Sequence, residues 1–93
     1  MTKLVLDLSK LNTPKELQSY LAHMLGFPDW YGNNWSAYWD MIARTIELPN
    51  ELVIVGLNDL AEVLPDEAKY FKKYTDLYIE QYADFEGVTI EYK

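Results

Sequence analysis

The chain has no cysteine and a single histidine, His23. There is accordingly no disulfide framework, no thiolate nucleophile and no Cys-ligated zinc or iron–sulfur centre, and one histidine cannot build a multi-His metal site. No cofactor is expected. Glycine and proline are also scarce, four of each, and none forms a phosphate-cradling loop. A nucleophile elbow and His-Glu-x-x-His spacing are absent as well. Bases are outnumbered, 8 Lys plus Arg against 15 Asp plus Glu, for a net charge of −7. Phosphate backbones repel such a chain, so nucleic acid is excluded as a direct partner. The N-terminal apolar run Leu4-Val5-Leu6 stops at Asp7, too short for a secretory core, and nothing approaches the roughly 18 apolar residues of a membrane span. These absences, with the lack of cysteine, fit a reducing compartment and predict a cytoplasmic protein.

What is present can fold. Apolar and aromatic residues make up 49% of the 93, well above disordered composition. The length suits one domain, residues 1–93, burying roughly 60–65% of the surface that its unfolded chain exposes. Leu4 to Leu8 reads as a strand. Thr13-Pro14-Lys15-Glu16 is a capping box that opens a helix carrying Leu17, Leu21 and Leu25, and Gly26 ends it. Asn34 is placed to cap a second helix, on which Trp35, Tyr38, Ile42 and Ile46 share one face, Ser36, Asp40 and Ala43 another, and Trp39 the border. Leu52 to Val55 reads as a strand covered on both faces or central in a small parallel sheet. A short helical piece over 57–64 precedes a long helix from Pro65 to about Glu86, with Phe71, Tyr74, Tyr78, Tyr82 and Phe85 on one stripe. Val88, Ile90 and Tyr92 alternate as a half-buried terminal strand. Strands separated by helical crossovers predict an α/β fold with a small three-stranded parallel sheet.

Carboxylates are the remaining candidates for catalysis. Asp29 and Asp40 are the pair that a two-carboxylate glycosidase would use, with Trp30 as a stacking platform, but a chain this small has little material for the deep cleft required. No enzymatic activity is expected. The informative segment is 28–40, which combines Trp30, Tyr31 and Trp39 with Asp40 on a helix, the composition of a protein-binding hot spot. The competing reading is that the aromatics fill the core and Asp40 pairs with Arg44 one turn later, for about 0.3 to 0.5 kcal/mol. Charge is uneven: residues 1–49 hold five acids and four bases, residues 50–93 ten acids and four bases. Asp76, Glu80 and Asp84 recur at every fourth position of the long helix, either a solvated face or a surface for a basic partner.

The stretch Phe27-Pro28-Asp29-Trp30-Tyr31-Gly32-Asn33-Asn34-Trp35-Ser36-Ala37-Tyr38-Trp39-Asp40 resembles the barstar family of ribonuclease inhibitors. The element order, the chain length and the closing Glu86-Gly87-Val88 resemble it too. The resemblance implies a barstar-like fold and a binding module that plugs the active site of a basic secreted ribonuclease or toxin nuclease. It implies a protein that is monomeric when free. It places Trp30, Asn34, Trp39 and Asp40 at contact positions, with Asp40 as the central phosphate mimic, and makes Tyr31, Asn33, Ser36, Ala43, Arg44 and Thr45 part of the same surface. Three positions depart from the family pattern. Ser36 stands where a second Asp is common, Arg44 brings a positive charge, and a long-helix acid falls on Tyr82 when read back from Gly87 without gaps. These departures favour a cognate nuclease other than barnase, or an adaptor of the same fold whose partner is no nuclease.

Overall fold

The structure, a computed structural model, describes residues 2–93. Three strands, β1 (Lys3–Asp7), β2 (Glu51–Val55) and β3 (Thr89–Tyr92), form one sheet in that order, all parallel. Lys3 pairs with Glu51 and Asp7 with Val55, while Glu51 pairs with Thr89 and Ile54 with Tyr92. The expected strands are all present, and the continuous apolar run 52–55 is the central one. Between them run α1 (Pro14–Leu25), α2 (Trp35–Asp40), α3 (Leu57–Val63) and α4 (Pro65–Tyr78), with a final turn α5 (Asp84–Glu86). No helix among the described residues is long and apolar enough to cross a membrane.

Local chemistry accounts for the helix ends. Thr13 Oγ1 accepts from the Glu16 N–H at 3.1 Å, and Glu16 reaches back to the Asn12 N–H at 2.9 Å, so two orphan donors are satisfied. Pro14 and Pro65 open α1 and α4, where a missing N–H costs nothing.

Alternation along the strands sorts the two sheet faces. Leu6, Leu52 and Ile54 point to the helices and join Leu17, Leu21, Tyr38, Leu60 and Phe71 in the core. Lys3, Val5, Asp7, Thr89 and Glu91 on the other face are exposed. Parallel sheets usually carry helices on both faces. Here only one face is covered, because crossovers of one hand along a sequential strand order lay every helix on the same side. Val53 is buried on the bare face, outside the main core, with Val5 and Glu91 as its cross-strand neighbours.

Two helices depart from the expected 3.6-residue period. A π-helical turn, Met41–Thr45, follows α2, and another, Ile79–Ala83, follows α4. Each widens the helix by the equivalent of one residue. The second turn breaks the predicted aromatic stripe: its last residue, Ala83, takes the buried position, and beyond it Phe85 is 87% exposed. The regular acidic ladder is interrupted too. Asp76 lies before the turn and is engaged by Lys72 Nζ at 2.6 Å and the Tyr92 hydroxyl at 2.7 Å, which ties β3 to α4. Glu80 and Asp84 stay exposed.

Several tyrosines resist ionisation. Burial raises the Tyr31 and Tyr38 phenols above the ordinary tyrosine range, and burial followed by the Asp76 carboxylate raises Tyr92. The folded values lie above the unfolded ones, so this contribution is intact below about pH 10 and is lost as pH rises beyond it. Urea midpoints measured from about pH 8 to about pH 11 should fall steeply above about pH 10, and replacing Tyr31 by Phe should reduce the slope. A midpoint flat across that range would contradict the assignment.

Candidate functional site

Gly26, at φ 73°, closes α1, and the Phe27 N–H donates to the Ala22 carbonyl at 2.9 Å, turning the chain across the end of the helix. The Tyr31 N–H then donates to the Pro28 carbonyl at 3.0 Å, closing a four-residue turn. That turn separates the aromatics by role. Its flanks, Phe27 and Tyr31, point inward with ring centroids 4.7 Å apart, while its corner residues Asp29 and Trp30 project outward. Trp30 is 70% exposed. Tyr31, which the resemblance groups with the contact surface and the competing reading with the core, is buried, and its hydroxyl donates to Gln18 Oε1. A phenol in a turn that packs on α1 needs this inward course to reach the buried amide.

Asn33 adopts φ 52°, which Asn tolerates better than most residues, and it is exposed. Asn34 caps α2: its Oδ1 accepts from the Ala37 N–H at 2.8 Å and its Nδ2 donates to the Gly32 carbonyl at 3.2 Å. Both ends of that side chain are thus engaged within the loop.

An aromatic rank clamps α2 onto α4. The Tyr38 hydroxyl lies 2.9 Å from Thr75 Oγ1, with its ring beside Trp35 and Phe71. The Trp35 indole N–H donates to Glu67 Oε1 at 3.2 Å. Trp39 is half-buried, with the rings of Tyr74 and Tyr82 at 6.3 and 6.1 Å. The border position predicted for Trp39 is where the structure places it. With this face committed, Ser36, Asp40 and Arg44 are left on the solvent side.

Arg44 Nη1 lies 3.6 Å from Asp40 Oδ1, both side chains more than half exposed. They border a depression of about 400 Å³ lined by Trp30, Gly32, Ala37, Asp40, Met41, Arg44 and Thr45. The structure therefore brings together Trp30, Asp40 and Arg44. It does not bring Asn33 to them, which lines a separate hollow with His23 and Asp29. Ala43 lies on the far side of Arg44, in a second depression of about 520 Å³ that also takes in Glu47 and Glu86. Ser36 is exposed on the same helix but lines neither.

Sequence reading missed Ala37 and Met41, whereas Thr45 is a contact position that the resemblance implies. The first two sit three residues before and one after Asp40, and a helical wheel drawn around Asp40 would have placed Ala37 beside it. Thr45 is held beside Asp40 across the π turn, where regular spacing fails: its Oγ1 donates to the Asp40 carbonyl at 3.2 Å. Among the described residues no group of three His, Cys, Asp or Glu is gathered to hold a metal ion.

Comparison with known proteins places this geometry in context. The model of the family described as Barstar (barnase inhibitor) matches residues 1–91. The protein named "Putative ribonuclease inhibitor YrdF" from Bacillus subtilis (strain 168) is 35% identical over 54 residues, which cover 58% of this chain and 59% of that relative's length. The matching family is one of inhibitors and not of enzymes. With a three-stranded parallel sheet, helices on one face and a family match over nearly its whole length, the chain belongs to the barstar family.

Proposed function

We propose that this protein inhibits a basic ribonuclease by occupying its active site, with the loop 27–34 and the helix bearing Asp40 as the interface. The observation that carries this reading is the convergence of an exposed Trp30 and a solvent-side Asp40 on one depression, outside the core and on a helix held rigid from behind. A nuclease displays cations toward RNA phosphate, and a positioned carboxylate accepts charge-assisted hydrogen bonds from such groups. Asp40 is the phosphate mimic and Trp30 the aromatic anchor. The protein acts as a monomer in the cytoplasm, as the immunity partner of a secreted or toxin nuclease.

Stoichiometric mixing with a panel of barnase-like ribonucleases, read by RNA cleavage, tests the reading, and complete inhibition of at least one is expected. Failure to inhibit any would reject it. Ten of the fifteen acids lie in residues 50–93, so much of the long-range attraction comes from the half that does not form the anchor. Raising salt from about 0.01 M to about 0.15 M cuts the screening length from about 30 to about 8 Å, and the association rate should drop by at least about tenfold. Stopped-flow association at the two salt concentrations measures this. The dissociation rate should change far less, because the Asp40 contact is short-ranged.

A second reading, a barstar-fold adaptor for a partner that is no nuclease, is favoured by Ser36, which leaves α2 with one acid on its exposed side. Affinity purification from the native host separates the two by the identity of what is retained.

A further inference from the structure

Arg44 is the feature that a purely acidic RNA mimic does not explain. Its guanidinium stands 3.6 Å from Asp40, longer than the about 2.7–2.9 Å of a charge-assisted hydrogen bond. Among the described residues no other group takes up its five donors, and it remains 69% exposed. It lines the Trp30 and Asp40 depression on one side and the Glu47 and Glu86 depression on the other, so nothing that seats on Asp40 can avoid it.

We propose that Arg44 is a specificity-determining contact, and that the partner nuclease presents a carboxylate beside the cation that meets Asp40. This inference rests on the inhibitor reading and names the chemistry of its partner. A partner surface offering only cations would place a like charge against Arg44 in a drying interface, where screening is weak and such juxtapositions are rejected. A partner offering a cation and a carboxylate side by side meets both members of the pair, and the guanidinium fork matches a carboxylate in two-point geometry. A ribonuclease that uses a carboxylate as general base next to its phosphate-binding cations has this pattern at its active site. The intramolecular pair costs little to exchange, because exposed ion pairs one helical turn apart are weak. Arg44 therefore selects among basic nucleases and favours those with an acid in the groove.

Inhibition constants for the wild type, Arg44→Lys, Arg44→Gln and Arg44→Glu, measured against each nuclease of the panel that the wild type inhibits, test the proposal. Arg44→Gln should weaken inhibition by about tenfold, Arg44→Glu by more, and Arg44→Lys should retain part of the affinity. Binding to the same nuclease with its general-base carboxylate changed to the amide should remove the difference between wild type and Arg44→Gln. Inhibition by Arg44→Gln that equals or exceeds wild type would overturn the proposal while leaving the inhibitor reading intact. A difference that persists against the amide nuclease would overturn it too. If the wild type inhibits no member of the panel, the inhibitor reading itself fails and this inference with it.

Discussion

Asp40→Ala is expected to weaken inhibition of a cognate ribonuclease by at least about a hundredfold while leaving the melting temperature within a degree or two. The two halves of that expectation have different sources. In the free protein the carboxylate is more than half exposed, and its one ion pair among the described residues is with Arg44, at 3.6 Å, an arrangement worth about 0.2–1 kcal/mol. Its loss hardly touches the fold. In the complex the same carboxylate would be desolvated against a cation, and removing one member of a buried pair costs about 3–5 kcal/mol because the other charge is stranded. At 1.4 kcal/mol per tenfold, the lower bound already exceeds a hundredfold. Asp40→Asn keeps the shape and removes the charge, so it should fall nearly as far. Inhibition constants and thermal melts on the same preparations make the comparison, and wild-type inhibition by Asp40→Ala would remove it from the role of anchor.

Gly56→Ala is expected to destabilise the fold by about 3 kcal/mol, the sum of an αL penalty of about 1–2 and an overpacking penalty of about 1–3. Gly56 follows β2 at φ 79°, and an added Cβ would lie 2.7 Å from the Ser9 backbone N and 2.9 Å from Ser9 Cβ. Ser9 cannot readily step aside, because its N–H and hydroxyl both donate to Asp7 Oδ1, at 3.0 and 2.6 Å. The close approach is where β1 leaves the sheet beside the end of β2. Gly26→Ala is the control: its φ is 73°, but nothing lies within 4 Å of the added atom, so only the about 1–2 kcal/mol conformational term applies. In a protein of this size 1 kcal/mol moves the melting temperature by about 4–8 °C, which puts the two variants well apart in a thermal scan. Equal melting temperatures would mean that the Ser9 contact relaxes freely.

The fold was legible where one local signal outweighed its competitors. The run Leu52 to Val55, bounded by Gly56, has no alternative to a buried strand, and Thr13 with Glu16 states a helix start in side-chain chemistry. The parallel sense followed from the helical lengths between strands. Trp30 and Asp40 were legible as site candidates, and they do flank one depression. The inward turn of Tyr31 was not. Neighbouring aromatics in a loop carry no periodicity, and what draws this one in is the buried amide of Gln18, thirteen residues earlier. Phe85 was misplaced for the opposite reason: the period was clear, and a π turn changed it. The pairing of Asp76 with Tyr92 likewise joins residues that only the β3 register brings together.

The π turn at Ile79–Ala83 also bears on descent. A helix that takes in one residue without breaking keeps its ends in place, so each residue beyond the insertion lies about 100° from where regular counting would put it. Deleting any one residue of the turn would restore a regular helix and leave Phe85 on the exposed side that it now occupies. In a relative whose helix lacks the turn, residues before Ile79 and residues after Ala83 therefore belong to two registers, and an ungapped comparison matches only one of them. Tyr82, the position five before Gly87, lies inside the turn itself. Homologous acids along this helix are best sought by the face they occupy, not by counting from its end.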